Sequence, residues 1–498
     1  MTKKVFFTLF LLIASQHIFS QQSQYNIKDF GAVGDGKTVC TNAINQAITK
    51  CSEDGGGRVV IPAGTFKSGT IVMKNNVELY FAMNATLLAS TDGKDYPTQP
   101  KPEYRSLRDD PRGWLSLIYA EKMSNIAITG FGTINGNGAL QKPRVNIGND
   151  LQGRPNNILF ISCHQVRVEG ITMLHSGMWC QHYLNCEDVV IDKINVYNHS
   201  NKNNDAIDID GCRRFMLSNS VFDSEDDGIT LKSTGTAPCE DVTITNCVVS
   251  TFSNAIKCGT ESTGGFRNIT ISNCVVKPSR CPENLYEGVK CGDTGISLEI
   301  VDGGVMENVA ISNIVIEGTE SPLYIRLGNR ATKHTDDAPQ PPVGKIRNVT
   351  IDNIVAYNTG NFTSSITGIP GHDVENVSIN NIQFYNRGGL VDGQYKATPA
   401  DVPEDEKGYP DAVIWGNLPS SVFFIRHAKG LSINNLTFGS NENDPRIPVI
   451  AVAVERLRIG KSIFSGASPH PFFILLENVT DFDIEKPLGW GQNQVMKQ

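Results

Sequence analysis

The sequence predicts an all-β protein, a single-stranded right-handed parallel β-helix with a capping helix at its start. Three observations predict it. A pattern of the form apolar-x-x-apolar-x-apolar-x-Asn-apolar-x-apolar recurs along the chain, as in residues 186–196, 212–222, 239–249, 266–276 and 306–316. Alternation over three to five residues within each unit is the period of a strand. The copies beginning at 163, 186, 212, 239 and 266 follow one another at 23 to 27 residues. That length holds about three short strands with their turns, and such a unit cannot bury its own apolar face. Stacking units about 4.8 Å apart makes one continuous core. A propeller would show longer blades with antiparallel hairpin signals, and a leucine-rich repeat would show its leucine pattern.

Taken in order, the first residues read as an address. Lys3 and Lys4 precede an apolar run over 5–14, and Ser20 precedes Gln21 at a plausible cleavage point. This is the form of a secretory signal peptide over 1–20, too short to span a bilayer. An exported protein, periplasmic or extracellular, is therefore expected. No later run reaches eighteen apolar residues, so no membrane span is expected. Residues 21–498 read as a single β-helix domain, expected to be monomeric. Residues 41–50 read as a helix with Ala43, Ile44, Ala47 and Ile48 on one face, ended by Gly55-Gly56-Gly57. An open solenoid end needs such a cap. Strands begin at Val59. The fixed Asn of each unit suits a ladder of stacked amides along the axis.

Twelve cysteines in an exported chain raise the prospect of disulfides. Most of them fall at equivalent repeat positions, 186 above 212 and 239, and 247 above 274. Side chains in such columns point the same way, a poor geometry for bridging. They are expected to be free and buried, with Cys281 and Cys291 the best candidates for a bonded pair. Composition is globular, 40% hydrophobic and 19% charged, and the net charge is −8. No block of Lys and Arg stands out, which argues against nucleic acid as a partner.

The chemistry gathers on two consecutive rungs. In Asp205-Ala206-Ile207-Asp208-Ile209-Asp210 the isoleucines point inward and the acids outward. Asp226-Asp227-Gly228-Ile229-Thr230-Leu231-Lys232 is the next rung. Stacking is expected to set Asp205 beside Asp226 and Asp227. Crowded carboxylates raise at least one pKa and create an acid next to a base. Glycoside hydrolysis needs that pair. A single acidic turn is commonly structural, and a calcium site is another use for clustered oxygens.

With these residues in view, the sequence resembles glycoside hydrolase family 28, the polygalacturonase family. The resemblance runs over nearly the whole chain after residue 21. It opens at Asn26-Ile-Lys-Asp-Phe-Gly-Ala-Val-Gly-Asp-Gly36 and continues through Ile61-Pro-Ala-Gly-Thr65, Gly132-Thr-Ile-Asn-Gly-Asn-Gly138 and Met173-Leu-His-Ser-Gly-Met-Trp179. Asn203-Asn-Asp205 stands where the family has Asn-Thr-Asp, and Asp226-Asp227 matches its Asp-Asp pair. The resemblance implies a pectin-lyase-like solenoid and an inverting hydrolase without a cofactor or catalytic metal. It assigns Asp226 as general acid, and Asp205 and Asp227 to hold and deprotonate the attacking water. The carboxyls of an inverting pair leave about 6.5–9.5 Å for that water.

Two family elements are absent. Asn254 replaces the histidine of the family's Gly-His-Gly, and Ser297 and Glu299 replace the cations of its Arg-Ile-Lys. Substitutes stand nearby in the expected register: Lys257 one rung before Ser297, Tyr324 and Arg326 one rung after. With Asp208, Lys232, Asn254 and His182 these make the expected substrate-binding set. Glu299 with Arg326 is alternatively a surface ion pair. His199 is a further possible sugar contact, and Trp179 is either a stacking platform or core. The departures point to a pectic polysaccharide other than plain homogalacturonan: either the sugar at that subsite is neutral, such as rhamnose or galactose, or its carboxylate is rotated toward Lys257 or Arg326. The insertions at 259–265, 278–294 and 330–343 are expected to wall the cleft and favour action at a chain end. A polysaccharide lyase on the same architecture, or a non-catalytic glycan-binding β-helix, are the competing readings.

Overall fold

Every strand ladder among the described residues is parallel, and each strand pairs with its counterpart one repeat on. That is what a unit with no partner for its own backbone must do. The computed structural model describes residues 23–97, 99–107, 115–140, 154–283, 288–466, 470–491 and 495–497. The export segment read at 1–20 lies outside the described residues.

The strands form three stacks. One carries the chemistry and is labelled here in chain order: β1 (Ser116–Glu121), β2 (Asn156–Ile161), β3 (Gln181–Leu184), β4 (Ile207–Asp210), β5 (Ile229–Ser233), β6 (Asn254–Ser262), β7 (Gly292–Ile300), β8 (Thr319–Leu327) and β9 (Ser364–Thr367). A second stack holds Glu187–Asp192, Arg213–Ser218 and Cys239–Thr245, and a third Asn195–Asn198, Val221–Ser224 and Val248–Thr251. In Phe266–Pro278, Val305–Glu317, Lys345–Thr359 and Val374–Asn386 the second and third strands of a repeat run on as one bent strand. Inward residues stack in columns. Val189 pairs in register with Phe215, Val242 and Ile269, and Ile191 with Leu217, Ile244 and Ile271, all buried.

Two asparagine ladders run along the outside. The expected one links Asn273, Asn313 and Asn353 amide to amide at 2.8–3.0 Å. A second, unexpected one links Asn268, Asn308, Asn348 and Asn376. Residues of both sit at φ of 53–59°. Asparagine tolerates that left-handed conformation, which makes the corner between two strands, and its amide then satisfies the next copy.

Helix α1 (Thr41–Glu53) buries Ala43, Ile44, Ala47, Ile48 and Cys51 against the first rungs. It runs one turn beyond the expected end because Cys51 continues the apolar face. All twelve cysteines are free. The expected Cys281–Cys291 bridge is not formed: Cys291 is buried with its Sγ 3.2 Å from Glu320 Oε1, while Cys281 is partly exposed. Reductant should therefore leave the melting temperature unchanged, and thiol titration of denatured, unreduced protein should count close to twelve. Recovery of two or fewer would contradict the columns.

The segment 387–419 leaves the stack entirely. It buries Val402, Ala412, Trp415 and Leu418 against Tyr324, Phe424, Ile450 and Leu475, the outward residues of the late rungs. Arg326 donates to the carbonyls of Glu404 and Asp405, and Arg426 to those of Val402 and Pro403. The outer face of the β1–β9 sheet is thus roofed at its later end.

Candidate active site

Parallel register lines up the outward side chains of β3 to β8. One column runs His182, Asp208, Thr230, Lys257, Ser297, Tyr324. Asp210 and Lys232 are paired in the next. The acids at the strand starts follow the same frame. Ile207 pairs with Ile229, and Ala206 N–H donates to the Asp227 carbonyl. Asp205 is therefore level with Asp227, and Asn204 with Asp226.

Asp227 is the most heavily bound of the three. Its Oδ1 accepts from Asn254 Nδ2 at 2.8 Å and Ser253 Oγ at 3.0 Å, and its Oδ2 lies 3.1 Å from Lys257 Nζ. Asp226 is partly exposed; its Oδ1 accepts the Asp227 N–H at 3.0 Å and its Oδ2 faces Asn203 Nδ2 at 3.4 Å. Asp205 is 3% exposed, and its Oδ1 has no hydrogen-bond partner among the described residues. The Asn198 amide holds the Asp205 carbonyl at 3.0 Å and so fixes where the strand starts.

The environments drive the protonation states apart. Burial, reinforced by the Asp227 charge, raises Asp226. Burial would raise Asp227 as well, but Lys257 and Lys232 and the Asn254 amide outweigh it and hold Asp227 below the usual carboxylate range. Burial and the neighbouring Asp208 and Asp226 push Asp205 well up. The cleft so arranged sets a carboxyl that holds its proton more tightly than usual beside one that releases it more readily, the arrangement an acid and a base require.

The remaining expected contacts fall into two groups. Asn254 and Lys257 stand at the acids but spend donors on Asp227, and Lys257 is 2% exposed. Lys232 is 3.7 Å from Asp208 Oδ1 and 3.4 Å from Glu261 Oε2, with its ammonium over the Trp179 ring at 4.8 Å. Trp179 is buried and meets the His182 ring edge-on, so it is core and no open platform. His182 is 2% exposed and hydrogen-bonds Asp210 at 3.0 Å; Asp210 also accepts from Thr234. His199 is bound to Asp223 at 2.9 Å, with Ser279 and Arg280 on the same carboxylate. Tyr324 packs on Trp415 under the roof. Arg326 does not pair with Glu299 at a surface: both are buried, and the guanidinium instead holds Glu404 and Asp405 carbonyls. Glu299 accepts from Ser297 Oγ at 2.6 Å and Thr260 Oγ1 at 3.1 Å. Gly259 is required there, since a Cβ would come 2.6 Å from Glu299 Oε2.

Several cleft residues escaped sequence reasoning. Ser253 donates to Asp227 from the rung after it. Asp293, at the start of β7, is pushed up to about 8 by burial and by Asp411, Asp227 and Asp226. Asp411 and Tyr409 arrive from the roof. Lys257 Nζ sits 5.7 Å from the Tyr409 ring centroid. Asp293 extends the column of strand starts and was legible in the register; Tyr409 and Asp411 carried no repeat signal. A separate groove of about 540 Å³ on the second stack, lined by Arg58, Glu78, Tyr80, Arg167, Glu169 and Lys193, has its cations paired to its own acids.

The family model described as glycosyl hydrolases family 28 matches residues 51–396, well over half of the chain. A probable polygalacturonase of Vitis vinifera is 31% identical over 215 residues, which are 42% of this chain and 44% of the relative. An exo-poly-alpha-D-galacturonosidase of Dickeya chrysanthemi is 27% identical over 248 residues, 41% of each. The chain thus spans less than half the length of these relatives. The solved structure of a hyperthermoactive exopolygalacturonase from Thermotoga maritima superposes with a TM-score of 0.61 at 25% identity, covering 73% of this chain and 87% of that one.

Proposed function

The chain belongs to glycosyl hydrolases family 28, and from that membership we propose that it is an exported, inverting glycoside hydrolase of pectic polysaccharides that works from a chain end. The observation that carries the hydrolase reading is the split pair, Asp226 raised and Asp227 held down by Lys257. Asp226 protonates the leaving oxygen. Asp227, ionised, draws the proton from a water on the opposite face of the sugar ring, as an inverting pair requires. Asp205 positions that water: its buried Oδ1 has no hydrogen-bond partner among the described residues and is free to form one with the water. The names of the similar proteins, polygalacturonase and exo-poly-alpha-D-galacturonosidase, support a pectic substrate.

Chain-end action rests on the roof. Segment 387–419 covers the sheet over β8 and the rungs beyond it, so a long glycan cannot lie along the whole stack. The roof adds to the three insertions expected: 278–294 contains Asp293, beside the acids, and Arg330, at the start of 330–343, holds its guanidinium 6.0 Å from the Tyr409 ring.

Digestion of pectic oligosaccharides of defined length, with products sized over time, tests the proposal. Short products should appear from the first minutes while the long chains shorten gradually, and the first product should carry the inverted anomeric configuration by NMR. Arg326→Ala, which frees the Glu404 and Asp405 carbonyls and loosens the roof, should add mid-length products early. Mixed lengths released at once by the unaltered enzyme would defeat the chain-end reading.

A further inference from the structure

We propose that the groove on the outer face of the second stack is a second glycan site, which holds an acidic, uronate-bearing stretch of polysaccharide while the cleft on the β1–β9 stack works on another. The choice of ligand rests on the pectic reading of the cleft. The groove rests on two observations of its own, its shape and its uncommitted donors.

The shape follows from the register. Glu78 pairs with Ala127 and Ala127 with Arg167; in the neighbouring column Tyr80 pairs with Thr129 and Thr129 with Glu169. One rung thus carries two short outward side chains between two rungs of long ones. The result is a trough along Ser124–Gly130 with walls two rungs, roughly 9.6 Å, apart. Its volume of about 540 Å³ falls among small-ligand sites, roughly 300–1,000 Å³. At one end the chain turns through Gly130 and Gly170, where a Cβ would come 2.1 Å from the Phe81 carbonyl oxygen and 2.3 Å from that of Gly130. That corner stays bare, and Phe131 stands beside it, 66% exposed. Tyr80 is the aromatic of one wall. Rings so placed suit the C–H faces of sugars.

The donors follow from the ion pairs. Arg58 gives Nε and Nη2 to Glu78 at 2.7 and 3.0 Å, and Arg167 gives Nε and Nη2 to Glu169 at 2.9 and 2.6 Å. The Nη1 of each has no hydrogen-bond partner among the described residues, so each wall keeps guanidinium donors to spare. Lys193 adds an ammonium 3.2 Å from Glu169. The charged groups lining the trough are therefore three cations, Arg58, Arg167 and Lys193, and two acids, Glu78 and Glu169. That is a net positive lining on a chain whose net charge is −8. A carboxylate is the strong acceptor for guanidinium N–H groups, and hydroxyls of the same sugar can donate to the two acids. A uronate chain brings carboxylate, hydroxyls and an apolar ring face in each unit. A polymer held here meets the cleft at the effective concentration of a tethered ligand, so a weak contact suffices.

The test is affinity electrophoresis of the full chain through gels holding polygalacturonate or dextran, with Asp226→Asn in place so that the polymer is not consumed. Polygalacturonate should retard the protein and dextran should not, and the retardation should fade as salt rises. Ala127→Trp fills the trough from an outward position. Arg167→Ala, at a side chain 62% exposed, strips donors from one wall while Lys193 still pairs with Glu169. Each should weaken retention several-fold with the melting curve of the parent. With Asp226 restored, both should lower kcat/KM several-fold on whichever long pectin is cleaved and leave a trisaccharide cut from it unaffected, since a short chain gains nothing from a second site. Parent-like retention in both folded variants, or equal retardation by dextran, would overturn the inference. Retention is read without turnover, so it is judged apart from the hydrolase reading, which falls if the protein with Asp226 intact cleaves no pectic chain.

Discussion

Asp226→Asn is expected to lower kcat by about 10² to 10⁴, the usual worth of a general acid, with the fold and glycan binding retained. The amide matches the carboxyl in shape, and its oxygen can still accept the Asp227 N–H that Asp226 Oδ1 accepts at 3.0 Å. No apolar packing is lost, since Asp226 stands partly exposed at a strand start. Stability should not fall. The Asp226 pKa is raised in the folded protein, by burial and by Asp227. A carboxyl of this kind holds its proton more tightly folded than unfolded, so it costs stability as pH rises above its unfolded value near 4. The Asn variant should therefore melt at the same or a higher temperature at neutral pH and match the parent in acid. Rates on a cleaved oligosaccharide and melting curves at two pH values check both halves. Activity close to that of the parent would remove Asp226 from the mechanism.

Lys257→Met is expected to do damage of a different kind. The thioether keeps the length of the stem but leaves Asp227 buried without its 3.1 Å partner. Breaking a buried pair by removing one member costs about 3–5 kcal/mol, because the survivor is an uncompensated charge. The loss should depend on pH with a definite sign. Asp227 is depressed in the folded state, so its contribution is present above its unfolded pKa and fades as pH falls through the folded one. Lys257 is raised, so its contribution is present throughout the neutral range. The gap in stability between parent and variant should be widest near neutrality and close in strong acid. Activity should fall as well, with the acidic limb of the pH–rate profile moved upward, because Asp227 without Lys257 ionises later. A pH–rate profile with an unmoved acidic limb would mean that Lys257 does not set the base.

Both predictions depend on a residue pair that was only half legible beforehand. Asp226 and Asp227 stood out because a doubled acid at a strand start, one repeat after another acid, has few structural uses. Lys257 was legible as a cation near the site, and its register with Ser297 and Tyr324 was correct. Its partner was not, since a lysine at that point in the column can turn to the cleft or to the rung before it. Asp293 was readable in principle as the strand-start residue following Ser253. His182 was readable only as a histidine on the right face; the Asp210 carboxylate that holds it is two residues further along the next strand, and burial decides the rest.

What the sequence by itself determined is everything that repeats. The alternation of apolar residues sets which side chains enter the core, the repeat length sets three strands per turn, and parallel stacking then puts equivalent residues in columns. Those columns made the free cysteines, one asparagine ladder and the adjacency of Asp205, Asp226 and Asp227 computable from spacing alone. What only the tertiary structure decided is what does not repeat. The segment 387–419 has no periodicity, yet it brings Tyr409 and Asp411 to Lys257 and lays Trp415 on Tyr324. The Cys281–Cys291 expectation failed for the same reason, both ends lying in irregular chain. A repeat fixes its neighbours because each rung has one way to pair its backbone with the next. An irregular segment is placed by burial and by whichever carbonyls meet buried guanidiniums such as those of Arg326 and Arg426, and neither is written in local order.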